Sequence, residues 1–107
     1  MYKQKDIVLI PFPYTDLTGK SLRPALIISN KKLNKSEDRL CCLITSKETI
    51  EGLIIKEKDL EKSLPYKSWV KPHRIFTVSS KIIKKKLYSI STKFHEEIIK
   101  EINSFIN

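Results

Sequence analysis

At 107 residues the chain has material for one modest hydrophobic core and too little for two, and 40% apolar with 8% aromatic residues marks it as a folded protein rather than a disordered tail. The 21 lysines and arginines against 12 aspartates and glutamates leave a net charge of +9, which attracts polyanions, nucleic acid first among them, although a Lys- and Ile-rich composition also arises from an AT-rich genome. No apolar run approaches the roughly 18 residues of a membrane span and no basic-then-apolar leader opens the chain, so a cytoplasmic protein is expected. Cys41 and Cys42 are adjacent, too close for an ordinary disulfide and too few for a zinc site, and are expected to be buried or half-buried thiols in a reducing compartment. With no His–Cys cluster, paired acidic motif or Gly-rich phosphate loop, neither a metal nor a nucleotide cofactor is expected.

Taken in order, residues 7–10 and 25–28 are apolar, β-branched strands on either side of a polar loop holding Pro13, Thr15, Asp16, Thr18 and Gly19. Residues 30–38 form a polar, Lys-rich connection, 39–45 a central third strand, and 52–55 a short fourth strand after the polar stretch 46–51. The spacing of Leu60 and Leu64 predicts a short helix over 57–64 that stops at Pro65. Residues 69–71 and 75–78 read as two strand pieces separated by Pro72, His73 and Arg74, because proline breaks a ladder. A single helical turn over 79–83 and a last strand over 87–90 follow. Ser91 or Thr92 then caps a helix in which Phe94, Ile98, Ile102 and Phe105 recur on one face, with Glu96 and Glu97 in the favourable first turn. Several strands, no βαβ alternation and one terminal helix predict a mainly β (α+β) fold, a small antiparallel barrel carrying a C-terminal amphipathic helix, with residues 1–107 as a single domain.

Three segments carry a resemblance. Asp6-Ile7-Val8-Leu9-Ile10-Pro11-Phe12 with Asp16-Leu17-Thr18-Gly19 and Arg23-Pro24-Ala25-Leu26-Ile27-Ile28-Ser29, then Leu43-Ile44-Thr45-Ser46-Lys47, then residues 70–78, occur in the order and at the distances of the MazF/PemK toxins. The chain resembles that family, the ribonucleases of bacterial toxin–antitoxin pairs, over nearly its whole length, with Lys5 standing where members usually have glycine. The resemblance implies an SH3-like barrel (CcdB/MazF-like), catalytic roles for Arg23 and Thr45, a homodimer whose interface helps form an RNA groove, and neutralisation by an antitoxin with a disordered acidic tail.

The residues themselves allow that chemistry. RNA brings its own nucleophile, the 2′-hydroxyl, so a metal-free ribonuclease must align it, move two protons and stabilise charge building on the phosphate. Arg23, where the first loop turns into a strand beside Pro24, offers a fixed cationic fork, and Thr45 and Ser46 offer hydroxyl donors at a neighbouring strand end. A guanidinium pKa above 12 favours charge stabilisation or proton donation to the leaving 5′-oxygen over a role as base. Alone, Arg23 reads as a solvated strand end and Thr45 as the cap of a turn. His73 with Arg74 is the next candidate phosphate contact, while His95 reads as structural. Tyr14, Thr15 and Lys20 on the first loop, Lys47, and the basic run Lys84, Lys85 and Lys86 with nearby Lys81 are further candidate RNA contacts. Tyr14 is the preferred base-stacking residue, because Trp69 and Phe76 fall in strand patterns where core packing is the default. The expected activity is metal-independent, sequence-selective cleavage of single-stranded mRNA to 2′,3′-cyclic phosphate and 5′-hydroxyl ends. The alternatives are a non-catalytic toxin of the same fold that inhibits a topoisomerase by protein contact, and an RNA-binding module without cleavage.

Overall fold

A computed structural model describes residues 1–11, 22–60 and 67–107. Six strands, β1 (Asp6–Pro11), β2 (Leu22–Ile27), β3 (Asp38–Thr45), β4 (Leu53–Ile54), β5 (Trp69–Ser79) and β6 (Lys85–Ser89), pair antiparallel in the order β4-β5-β3-β2-β1-β6. The sheet curls until its two ends meet: Leu60, beyond β4, bridges Ile90, beyond β6, and Ser91 N–H donates to the Asp59 carbonyl at 2.7 Å. The expected barrel is thus a curled half-barrel held shut at one bridge, with the helix α2 (Thr92–Ser104) as its lid.

The strands read as nearly continuous apolar runs because both sheet faces are covered. On one face Phe94, Ile98 and Ile102 of α2 pack with Ile7, Leu26, Cys42, Ile44 and Val70. On the other, Val8, Ile10, Ala25, Ile27 and Cys41 are buried with Ile83. Helix α2 begins where the sequence puts it, with the Ser91 hydroxyl accepting from Phe94 N–H at 3.1 Å. Its apolar stripe ends one turn early. Phe105 is the C-cap rather than a core residue, 51% exposed, with its ring edge-on to His73 at 6.4 Å.

Other expectations need correction. The polar connection holds a one-turn helix, α1 (Lys31–Asn34), capped by Asn30, whose side chain accepts from Lys32 N–H at 3.0 Å. In place of a helix from residue 57 there is a 3-10 turn, Glu57–Asp59, after which Leu60 is taken by the closing bridge; residues 61–66 lie outside those described. The two strand pieces around Pro72 are one strand. β3–β5 pairing passes from Leu43↔Lys71 to Cys42↔Ile75, so Pro72, His73 and Arg74 form a bulge without partners in the β3 ladder; Pro72, with no N–H to offer, is buried there while His73 and Arg74 are exposed, and the strand continues. The turn Ser80–Ile82 and strand β6 agree with the sequence to within two residues.

Several polar groups are buried and satisfied. Asp6, 1% exposed, accepts from Lys3 N–H and the Ser89 hydroxyl, both at 3.0 Å, and its Oδ1 lies 3.4 Å from Lys86 Nζ. Arg39, 3% exposed, donates to the carbonyls of Tyr2 (3.0 Å), Ser36 (2.8 Å) and Asp38 (2.8 Å), tying the N-terminal segment to β3. Cys41 and Cys42 are free and buried, and burial pushes both thiols up to about 12, which leaves them unreactive near neutrality. Lys5 has φ of 80°, the left-handed region that glycine adopts without penalty.

His95 is the exception to full satisfaction: it is buried and its Nε2 has no hydrogen-bond partner among the described residues. Burial holds the imidazole below its usual pKa, reinforced by the Lys5 ammonium and opposed by a hydrogen bond with the Ile28 backbone. A depressed histidine pKa means that the unfolded chain binds more protons, so stability is full above the unfolded value of about 6.5 and falls as pH drops through it. Urea midpoints measured at pH 7.5 and 5.5 are therefore expected to decline toward acid, and His95→Gln is expected to flatten that decline.

Candidate active site

The register of the sheet assembles the site. Ile10 pairs with Arg23 across β1–β2, Thr45 with Trp69 across β3–β5, and Trp69 with Ile54 across β5–β4. The β2–β3 register, Ala25↔Leu43 and Leu26↔Cys42, extended by two residues along both strands, brings Arg23 opposite Thr45. Directly opposed residues share a face with Cβ atoms about 4.5–5.5 Å apart. Ile10, Arg23, Thr45, Trp69 and Ile54 therefore form one row at one end of the sheet, on the face turned away from α2, since Ile10 and Ala25 belong to the cluster there. One row further in, Lys71 lies opposite Leu43 on the same face.

Arg23 is exposed and forms no ion pair with a described carboxylate. Thr45 is half-buried, and its Oγ1 accepts from Lys47 N–H at 3.1 Å. The turn-capping role read from sequence is thus real, and it uses the hydroxyl only as an acceptor, so its proton remains available to donate. Ser46 and Lys47, both exposed, continue from Thr45 at the same end.

The other candidates divide. His73 and Arg74 lie exposed in the β5 bulge, and the His73 ring meets Phe105 at the C-terminal end of α2, on the helix side of the sheet and not in the Arg23–Thr45 row. Lys84 N–H donates to the Leu9 carbonyl at 2.8 Å and Lys85 pairs with Leu9, so both lie at the Arg23 end of the sheet, two strand spacings or about 10 Å away, with Lys85 on the opposite face from Arg23 because Leu9 alternates with Val8 and Ile10. Lys86 is drawn toward Asp6, and Lys81 pairs with Glu37 at 3.0 Å. Tyr14, Thr15 and Lys20 lie outside the described residues. Sequence reasoning missed Lys71 and the place of Trp69 beside Thr45. Period-two alternation along β5 puts 69 and 71 on one face, but only the register says whose face it is.

Two cavities lie elsewhere. One of about 380 Å³ is lined by Lys3, Lys5, Asp6, Asp59, Leu60 and Ile90 where the sheet closes, and one of about 450 Å³ runs between β4 and α2 past Ile50, Gly52, Phe94 and Glu97. Among the described residues no group of three or more His, Cys, Asp and Glu side chains is placed to hold a metal ion, and no helix is long and apolar enough to cross a membrane. The row sets a guanidinium on β2 and a hydroxyl on the adjacent β3 on the same face.

A curled six-stranded antiparallel sheet with one amphipathic C-terminal helix is the architecture of the MazF-like toxins. The chain superposes on the MazE–MazF crystal structure (Form-III) from Deinococcus radiodurans with a TM-score of 0.78 at 16% identity, covering 98% of this chain and 95% of that one. An endoribonuclease in complex with its cognate antitoxin from a mycobacterial species gives 0.75 at 19% identity (97% and 93% covered), and the Mycobacterium tuberculosis toxin MazF-mt6 gives 0.72 at 12% (92% and 93% covered). Among curated proteins none matches the chain in sequence. The pattern of the PemK-like, MazF-like toxins of type II toxin–antitoxin systems matches residues 3–106, and the chain belongs to that family.

Proposed function

We propose that this toxin is a metal-independent endoribonuclease that cleaves single-stranded mRNA at selected sequences, leaving 2′,3′-cyclic phosphate and 5′-hydroxyl ends. The observation that carries the reading is the β2–β3 register, which, continued two residues beyond Ala25↔Leu43, sets Arg23 across from Thr45. As the 2′-oxygen attacks, negative charge grows on the nonbridging phosphate oxygens. The Arg23 fork stabilises that charge, and the Thr45 hydroxyl donates to the same group or to the departing 5′-oxygen. Family membership and the mycobacterial neighbour, an endoribonuclease held by its antitoxin, support the same reading. In this proposal the toxin works as a cytoplasmic homodimer, and its surplus of positive charge draws in either RNA or the acidic tail of a cognate antitoxin.

The test offers the purified protein single-stranded RNA, the same RNA as a duplex, and the DNA of that sequence, all in EDTA. Cleavage is expected of single-stranded RNA alone, and a single 2′-deoxy substitution at the cut site is expected to stop it there. Intact RNA together with inhibition of a topoisomerase would favour the protein-contact alternative, and RNA that is bound but never cut would leave a binding module.

A further inference from the structure

We infer that Trp69 and Lys71 form a nucleotide subsite beside the scissile phosphate, Trp69 stacking on the base that flanks the cut and Lys71 holding the phosphate next to it. The inference rests on the RNA-cleaving reading and adds a specificity element to it.

Trp69 is the cross-strand partner of Thr45, on the same face. It is half-buried and not sealed into the core: it belongs to neither apolar cluster, whereas Val70 beside it on β5 is fully buried on the α2 side. Its position is set by Gly52, where an added Cβ would come within 3.1 Å of Trp69 Cβ and 2.5 Å of the Thr49 methyl, so the backbone of the β4 edge backs the indole closely. Two strand spacings separate Trp69 from Arg23, about 10 Å, and put a base attached to a phosphate between Arg23 and Thr45 within reach of the ring. Lys71 follows two residues along β5 on that face, roughly 7 Å away, half-buried and next to Leu43. An aromatic with a cation one step along the same strand combines the two elements by which proteins hold a single strand: a stacking platform and a charge that follows the backbone. Stacking tolerates any base, so the subsite adds affinity for an unpaired flanking nucleotide and disfavours a duplex, in which that base is already stacked.

The chain has one tryptophan, so its emission reports on this position alone. The experiment uses RNA made uncleavable by a 2′-deoxy nucleotide at a mapped cut site and follows binding by the anisotropy of an end label together with tryptophan emission. The two signals are expected to saturate on one isotherm, the emission falling as the base stacks. Scanning an abasic nucleotide along the RNA is expected to find one position next to the cut where quenching disappears and affinity drops roughly ten- to hundredfold. Trp69→Leu is expected to lose the same factor, with no further loss on the abasic RNA, Trp69→Phe to retain most of it, and Lys71→Ala to lower the log–log salt slope by about 0.7. The abasic scan on the parental protein decides the matter even where Trp69→Leu does not fold. RNA cut normally while binding leaves the emission unchanged, or abasic and Trp69 effects that add independently, would overturn the subsite and leave the cleavage reading intact. RNA neither bound nor cut would overturn both.

Discussion

Arg23→Ala is expected to slow single-turnover RNA cleavage by about 10² to 10³, the worth of one fixed donor to a developing oxyanion, about 3 to 4 kcal/mol. The loss should be confined to rate. Arg23 is exposed at the start of β2, with its neighbours Pro24 and Ala25 paired to β1, so the fold does not depend on its side chain. It is one positive charge among 21, so binding of a 2′-deoxy analogue should weaken only slightly. Thr45→Ala is expected to cost less than Arg23→Ala, since a neutral hydroxyl donor is weaker than a charged fork, and part of its cost is the lost cap on Lys47 N–H. Thr45→Ser keeps both donor and cap and should retain most activity. Cleavage by folded Arg23→Ala at near the parental rate would remove the row from the chemistry. Affinity lost in proportion to rate would make Arg23 an anchor for RNA with no special part in the transition state.

Asp6→Ala is expected to be the most damaging change away from that row, at about 3 to 5 kcal/mol. The carboxylate is 1% exposed and ties the N-terminal turn, through Lys3, to β6, through Ser89 and Lys86. Alanine leaves the Lys3 N–H and Ser89 hydroxyl without their charged acceptor, each such bond being worth about 1.5 to 3 kcal/mol. At roughly 4 to 8 °C per kcal/mol for a domain of this size, thermal unfolding should show a midpoint lowered by about 12 to 40 °C. Lys86→Ala should cost under about 1 kcal/mol, because that ammonium is 41% exposed and 3.4 Å distant. An Asp6→Ala protein that melts within a few degrees of the parent would show that these bonds exchange freely with water.

The first three strands and α2 were legible because their signals are local: apolar β-branched runs for strands covered on both faces, and a Ser91 cap before Phe94, Ile98 and Ile102. Helix α1 was not, since it buries no residue and so has no apolar period to find. Leu60 carries a true apolar signal that a helix and a closing bridge share, and no local feature separates the two. Phe105 continues the spacing of α2 past the residue at which the helix stops. Arg23 could be picked from its place at a strand mouth, but its facing of Thr45, and of Trp69 beyond it, depends on the register of strands far apart in sequence. The pairing of Lys86 with Asp6 and of Lys81 with Glu37 was hidden for the same reason.

The central claim is that RNA's own 2′-hydroxyl is the nucleophile at the Arg23–Thr45 row. It is tested most directly by incubating the purified protein with a long single-stranded RNA in EDTA and determining the chemistry of both new ends. Cuts are expected at a recurring short sequence, each with a 2′,3′-cyclic phosphate upstream and a 5′-hydroxyl downstream, at a rate unchanged by added divalent ions. Ends carrying a 5′-phosphate, or cleavage that appears only when a divalent ion is supplied, would contradict it.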